Sequence, residues 1–155
     1  MRKYVIEAKN ITKKFGNVTA LRNVNITVRQ GDIYGLIGDN GAGKTTFMKL
    51  LTGQAYSTGG ELELFGAYLE NELEKNRSRT GAIVESPGFY PKLTVEQNLE
   101  YYRIQRGIPG RKKVEETLKE IGLWEGRKKK CNALSMGMKQ RLGLGIALLG
   151  EPELL

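Results

Sequence analysis

The chain has no histidine and a single cysteine, Cys131. The Cys/His sets that hold structural zinc and the disulfide frameworks that staple small secreted domains are therefore both excluded. With no imidazole to activate it, Cys131 reads as a small apolar filler and not as a nucleophile, and one cysteine fits a reducing, intracellular setting. Nowhere does an apolar run approach the roughly eighteen residues that cross a bilayer. Residues 1–10 carry basic side chains but no apolar stretch of signal-peptide length. The expectation is a chain that neither spans a membrane nor carries an export signal. Internal repeats, low-complexity tracts and long flexible linkers are missing too.

What is present begins with 39% hydrophobic and 27% charged residues in a length of 155, enough for a packed core and against global disorder. The formal charge of +8 suits a nucleic acid, an anionic lipid surface or nucleotide phosphates, and charge by itself does not choose among them. The runs Arg111-Lys112-Lys113 and Arg127-Lys128-Lys129-Lys130 read most simply as solvated surface.

Gly38, Asp39, Asn40, Gly41, Ala42, Gly43, Lys44 and Thr45 fit the pattern G-x-x-x-x-G-K-[ST], after an apolar run, Ile33-Tyr34-Gly35-Leu36-Ile37, that reads as a strand. Glycines let consecutive backbone N–H groups turn inward on phosphate oxygens where a Cβ would obstruct them. Lys44 adds a mobile positive charge. Thr45 opens a helix through Phe47, Leu50 and Leu51 whose unpaired amides and positive dipole end face the same anion, and its hydroxyl is placed to hold a magnesium ion. A bare Gly-rich turn is the competing reading, and the strand-loop-helix context disfavours it. The loop implies binding of a nucleoside triphosphate.

The first third is otherwise β-rich: residues 4–11, 24–28 and 33–37 are short apolar or alternating stretches, and Gly59-Gly60 turns the chain into a further one, 61–65. Ala82-Ile83-Val84 reads as a short buried strand. Beyond Pro91 helical periodicity takes over. Thr94 with Gln97 forms a capping box for a helix that aligns Val95, Leu99 and Tyr102; Val114, Leu118 and Ile121 share a second helical face that Gly122 ends. A third helix starts near Ser135, buries Met138, Leu142, Ile146 and Leu149, and stops at Gly150 and Pro152. The character shifts from α/β to helical near Ser86.

Leu134-Ser135-Met136-Gly137-Met138-Lys139-Gln140-Arg141 sets a serine and a glycine at the start of that third helix, where an ordinary N-cap and an anion site are both open readings. This segment, some ninety residues after a complete phosphate loop, resembles the signature of the nucleotide-binding subunit of ATP-binding cassette (ABC) transporters. The resemblance spans almost the whole chain, from Ile11-Thr12-Lys13-Lys14-Phe15-Gly16 to Leu149. It implies an α/β fold with a P-loop NTPase core, an N-terminal antiparallel β part and a helical subdomain. The expected boundaries are 1–86 for the nucleotide-binding core, 87–150 for the helical subdomain and 151–155 for the start of the remaining core.

The resemblance further implies ATP and Mg2+ as ligands, held by Phe15, which would stack on adenine, by Gly38, Asn40, Gly41, Gly43, Lys44, Thr45 and Thr46, and by Ser135 and Gly137 acting across a head-to-tail dimer. Phe15 as a plain core residue is the alternative. Thr45 and Glu85 are the implied metal ligands, and Glu85 the candidate catalytic group. Most family members carry glutamine where Glu85 stands, and a carboxylate there adds negative charge beside the γ-phosphate. A role-free surface glutamate is the other reading. The context Glu85-Ser86-Pro87-Gly88-Phe89-Tyr90-Pro91 looks like the bacitracin-type and lantibiotic-immunity exporter branch.

The implied partners are a membrane permease, docking beside residues 85–102 through Pro87, Phe89, Tyr90 and Tyr101, and a second copy or related cassette across ATP. No nucleic acid is expected, and the implied location is cytoplasmic, at the inner face of the cell membrane. The magnesium-binding aspartate, catalytic glutamate and switch histidine of the family would follow residue 155, so the chain reads as an N-terminal piece of an ATPase that is itself inactive. The implied function is the motor subunit of an exporter. A soluble cassette acting on ribosomes or nucleic acid and a nucleotide-binding fragment without turnover are the alternatives.

Overall fold

The computed structural model describes residues 3–68, 70–86 and 88–155, so Pro87 of the expected docking segment lies outside the described residues. Two compact units divide the chain between Ser78 and Arg79.

In the first unit, β1 (Tyr4–Phe15) and β2 (Val18–Arg29) form a long antiparallel hairpin, and β3 (Gly59–Leu64) adds to the other side of β1, giving the order β2-β1-β3. Alternation puts Ile6 and Ala8 on the buried face, but the next buried residue, Ile11, comes three positions later. A register shift between Ala8 and Ile11 resolves the mismatch. Asn10 takes φ +51°, the extra residue is absorbed as a bulge, and Ile11 returns to the core face. Asn23, at φ +49°, resets β2 likewise between Leu21 and Ile26. Side chains hold both irregularities: the Asn10 N–H donates to Asn25 Oδ1 at 2.9 Å and the Asn23 N–H to Thr12 Oγ1 at 3.2 Å. The helix α1 (Lys44–Leu51) buries Phe47, Leu50 and Leu51, the i, i+3, i+4 stripe its sequence carries. The short polar helix α2 (Glu70–Arg77) has a weaker apolar pattern that sequence reading passed over; Leu73 is its buried anchor.

In the second unit, α3 (Val95–Gln105), α4 (Lys112–Glu120) and α5 (Met136–Leu148) close on one core of Val95, Leu99, Val114, Leu118, Leu142 and Ile146, with Cys131 and Leu149 fully buried beside them. The capping box at the head of α3 is present in both directions: Gln97 N–H donates to Thr94 Oγ1 at 3.2 Å and Thr94 N–H to Gln97 Oε1 at 2.9 Å. Gly122 follows α4 at φ +64°, and α5 begins after Ser135 as its polar cap. Residues 79–81 lie alongside 153–154: Thr80 and Leu154 form a parallel bridge, and Arg79 pairs with Glu153 at 2.7 Å.

Two expectations need correction. Residues 33–37 and 82–84 are not strands; among the described residues no ladder reaches them. Ile33 and Ile37 are fully solvent-exposed, and Ile83 is 42% exposed where burial was expected. An apolar run sets a preference for extended backbone, but a strand also needs a partner for its N–H and C=O groups, and that partner is a tertiary matter.

Candidate functional site

The phosphate loop joins the segment 33–37 to α1. Gly41 and Gly43 adopt φ +85° and +90°, conformations that a side chain disfavours, and two left-handed residues so close together fold the loop back over the helix start. Gly43 is constrained twice. A Cβ there would lie 2.5 Å from the Ala20 carbonyl oxygen and 2.6 Å from Leu21 Cδ2, so the loop packs directly on β2 and only glycine fits.

Gly43 also precedes α1 without any side-chain cap, so no Asp, Ser or Asn side chain takes up the first amides of the helix. Lys44 leads the helix and folds its side chain back across the loop, with Nζ donating to the carbonyls of Gly38 at 2.6 Å and Asp39 at 2.7 Å. Thr45 is exposed and Thr46 half-buried beside it. Together Ala20, Asn40, Gly41, Gly43, Lys44, Thr45 and Thr46 line an open cavity of about 210 Å³. Its wall offers an ammonium, two hydroxyls and backbone amides, and no carboxylate. That donor set suits a polyphosphate, and it is the chemistry and not the size that singles the cavity out.

Phe15 ends β1 opposite Val18 and is 53% exposed, with Lys13 Nζ over its ring at 4.8 Å from the centroid. It is not a core residue. An exposed ring with a cation beside it suits stacking on a planar group.

The remaining sequence-predicted residues belong to the second unit. Ser135 is the N-cap of α5; its Oγ accepts from the Met138 N–H at 3.3 Å, so the hydroxyl hydrogen is still available to a ligand. Gly137 and Met136 are exposed at the same helix end, and a Cβ on Gly137 would meet nothing within 4 Å. Glu85 is exposed and sits at φ +65°, inside a tight turn in which the Ser86 N–H donates to the Val84 carbonyl at 2.9 Å. For a glutamate that conformation is strained, and nothing in the local sequence signals it.

Sequence reading missed Asn98. It is completely buried in α3, accepts from the Tyr90 N–H at 2.7 Å, and donates to the carbonyls of Tyr90 and Thr94, both at 3.0 Å, and to Cys131 Sγ at 3.1 Å. One amide side chain thus ties the segment after Glu85 to α3 and to the turn that leads into Ser135. Its position three residues after Val95, on the apolar stripe, was the available clue. Burial pushes the Cys131 thiol above its ordinary value, which agrees with an inert, packed cysteine. Tyr90 and Tyr101 meet edge to face at 4.6 Å, and the Tyr102 hydroxyl donates to the Gly88 carbonyl, so this segment rests on an aromatic shelf of α3.

Known proteins place the chain in context. The model of the ABC transporter family matches residues 21–155. The chain is 43% identical over 152 residues to the bacitracin transport ATP-binding protein BcrA of Enterococcus faecalis, and 44% identical over 152 residues to that of Bacillus licheniformis. These alignments cover 98% and 97% of this chain but 49% of each relative, so the chain spans about half the length of the curated relatives it matches. Among solved structures, the dimeric post-hydrolysis ATP-binding cassette MJ0796 bound to ADP and Pi superposes with a TM-score of 0.83 at 29% identity, over 95% of this chain and 70% of that one. An ATP-binding subunit of an ABC transporter superposes equally, with a TM-score of 0.83 at 28% identity over 96% of this chain and 63% of that one. The α/β fold is thus that of the ATP-binding cassette, of which these residues form part, and the chain belongs to the ABC transporter family.

Proposed function

We propose that this chain is the nucleotide-holding part of the ATP-binding subunit of an exporter, and that the subunit couples ATP binding and hydrolysis to a membrane permease. The observation that carries this reading is the loop of residues 38–46, with its uncapped helix start, its two left-handed glycines and the Lys44 ammonium lying across it. The relatives named above are transport ATP-binding proteins, which favours this reading over a soluble cassette acting on ribosomes or nucleic acid. Residues 1–86 form the nucleotide-binding part, and 87–150 the helical part that carries the signature.

In this reading Phe15 stacks on adenine, the loop amides and Lys44 hold the β- and γ-phosphates, and Ser135 and Gly137 present a second helix start to the nucleotide of a neighbouring cassette. Magnesium, when bound, neutralises phosphate charge. Among the described residues no cluster of three or more acidic, Cys or His side chains stands ready for a metal, and the ion would take Thr45, phosphate oxygens and water, the sparse protein set that magnesium accepts. Phosphoryl transfer to water then rests on positioning and electrostatics. Glu85 is the candidate catalytic carboxylate, and turnover by these residues alone is negligible. The permease docks against residues 85–102, where Tyr90 and Tyr101 are exposed, and it keeps the subunit at the inner face of the cell membrane.

Isothermal titration of Mg-ATP tests the reading. Lys44→Ala should abolish measurable binding while leaving thermal unfolding near that of the parent. Phe15→Ala should weaken adenine nucleotides by about 1–3 kcal/mol and leave bare triphosphate unaffected. Equal ATP affinity in Lys44→Ala would remove the loop from the site, and equal loss of triphosphate in Phe15→Ala would remove the stack.

A further inference from the structure

Lysines crowd one strip of the second unit, and among the described residues no ion pair engages them. Residues 127–132 run antiparallel to 91–96, pinned by a ladder of backbone bonds: Val95 N–H to the Lys129 carbonyl at 3.1 Å, Glu96 N–H to the Arg127 carbonyl at 3.0 Å, Cys131 N–H to the Leu93 carbonyl at 3.0 Å and Asn132 N–H to the Pro91 carbonyl at 2.9 Å. The basic run read from sequence as solvated surface is therefore held in a fixed backbone. Lys92, Lys128, Lys129 and Lys130 are all exposed along it, and no ion pair among the described residues engages any of them. The contrast lies within the same unit: Arg79, Arg103, Arg111, Lys112, Lys113 and Lys119 each hold a carboxylate. Glu96 is the acidic side chain nearest in the ladder and is outnumbered.

We propose that this strip binds an anionic phospholipid surface directly, independently of any permease. Three features select that partner. The charges are lysines, compact point charges that suit a diffuse negative surface, whereas recognition of single carboxylates or phosphates favours the arginine fork. None of these lysines lines any of the described cavities. Tyr90 precedes Pro91 at the edge of the ladder and is 43% exposed; Tyr101, against which it packs, is 40% exposed, and Ile104 one turn further along α3 is 62% exposed. Tyr90, exposed beside the lysine strip, matches the amphipathic headgroup layer. The two rings engage each other edge to face, which leaves them poorly disposed to stack on unpaired bases.

The test is co-sedimentation of the chain with vesicles of phosphatidylcholine alone or mixed with phosphatidylglycerol, at low and at physiological salt, without nucleotide or permease. The chain should sediment with the anionic vesicles only, and salt should release it. Each lysine near such a surface is worth about fivefold in partitioning, so Lys128→Gln, Lys129→Gln and Lys130→Gln together should weaken it on the order of a hundredfold. A control of the same charge change, Lys9→Gln, Lys112→Gln and Lys119→Gln, removes lysines already paired with carboxylates and should bind nearly as the parent does; far-ultraviolet circular dichroism checks that both remain folded. Failure of the parent to bind anionic vesicles, equal binding to neutral vesicles, or equal loss in the control would each overturn the proposal. So would tighter, lysine-dependent binding to a single-stranded polynucleotide at the same salt, which would assign the strip to nucleic acid. Because the assay contains neither ATP nor permease, its failure leaves the nucleotide reading untouched, and failure of that reading leaves the lipid assay unchanged.

Discussion

Asn98 and Thr117 are buried to the same degree and are opposite cases of one rule. The Asn98 amide meets four partners in three segments, whereas the Thr117 hydroxyl, at 1% exposure between α4 and the core, has none among the described residues. A buried polar group that is fully bonded specifies a structure, and one that is orphaned costs stability. Asn98→Leu should therefore destabilise by about 3 kcal/mol, because it strands the Tyr90 N–H as well as losing the amide. Thr117→Val, of nearly equal volume, should be neutral or stabilise by up to about 1 kcal/mol. Urea unfolding followed through the single tryptophan, Trp124, reads both. Comparable destabilisation by the two substitutions would mean that packing and not hydrogen bonding decides these positions.

At the level of elements, the junction between the phosphate loop and α1 leaves no room for a side chain at one of its two left-handed glycines. Gly41 and Gly43 share nearly the same φ, but only Gly43 faces a wall, with the Ala20 carbonyl at 2.5 Å from where a Cβ would sit; around Gly41 nothing comes within 4 Å. The pair separates the cost of the backbone conformation from the cost of close approach. Gly41→Ala should lower stability by about 1 kcal/mol, the left-handed penalty alone. Gly43→Ala should cost at least twice that and weaken ATP binding further, since a backbone carbonyl cannot swing aside and α1 must lift from β2. Thermal unfolding of the two variants in parallel checks this. Equal shifts would show that φ accounts for everything and that the packing of loop on β2 is slack. The same element-level view explains why α3 to α5 were legible in advance: their caps and stripes are local features, written in Thr94, Gln97, Gly122 and Ser135.

For the whole molecule, the consequential fact is an apolar segment that no described strand covers. Ile33 and Ile37 are fully exposed on residues 33–37, which join no described ladder and lie directly before the phosphate loop. Such a segment is a template for pairing with another chain. The chain as it stands should therefore self-associate with rising concentration, and Ile33→Lys with Ile37→Lys should suppress this without disturbing the hairpin or the helical unit. Sedimentation velocity over a concentration series measures it. A parent that stays monomeric, or a double variant that associates as readily, would show that the exposed run is inert. Added Mg-ATP distinguishes this association from a nucleotide-bridged dimer, which the lysine substitutions would leave intact.

The sequence by itself determined what is local. The phosphate loop is contiguous, so its glycines, Lys44 and Thr45 announced both the turn and its ligand chemistry; the capping box and the helical stripes are set by neighbours within a few residues. The phosphate loop and the segment 134–141 carried the resemblance to the family that the comparisons confirm. The tertiary structure decided what depends on partners distant in sequence. Only the ladder of β1 with β2 and β3 reveals the bulges at Asn10 and Asn23, since a change of alternation phase needs an opposing strand to define it. Only packing distinguishes the buried Asn98 from a solvated helical asparagine, and only the folded backbone reveals that Glu85 is left-handed. Residues 33–37 state the division most plainly. Their side chains favour an extended backbone wherever they are, but a strand exists only when other residues supply the hydrogen bonds, and those are not encoded within the segment.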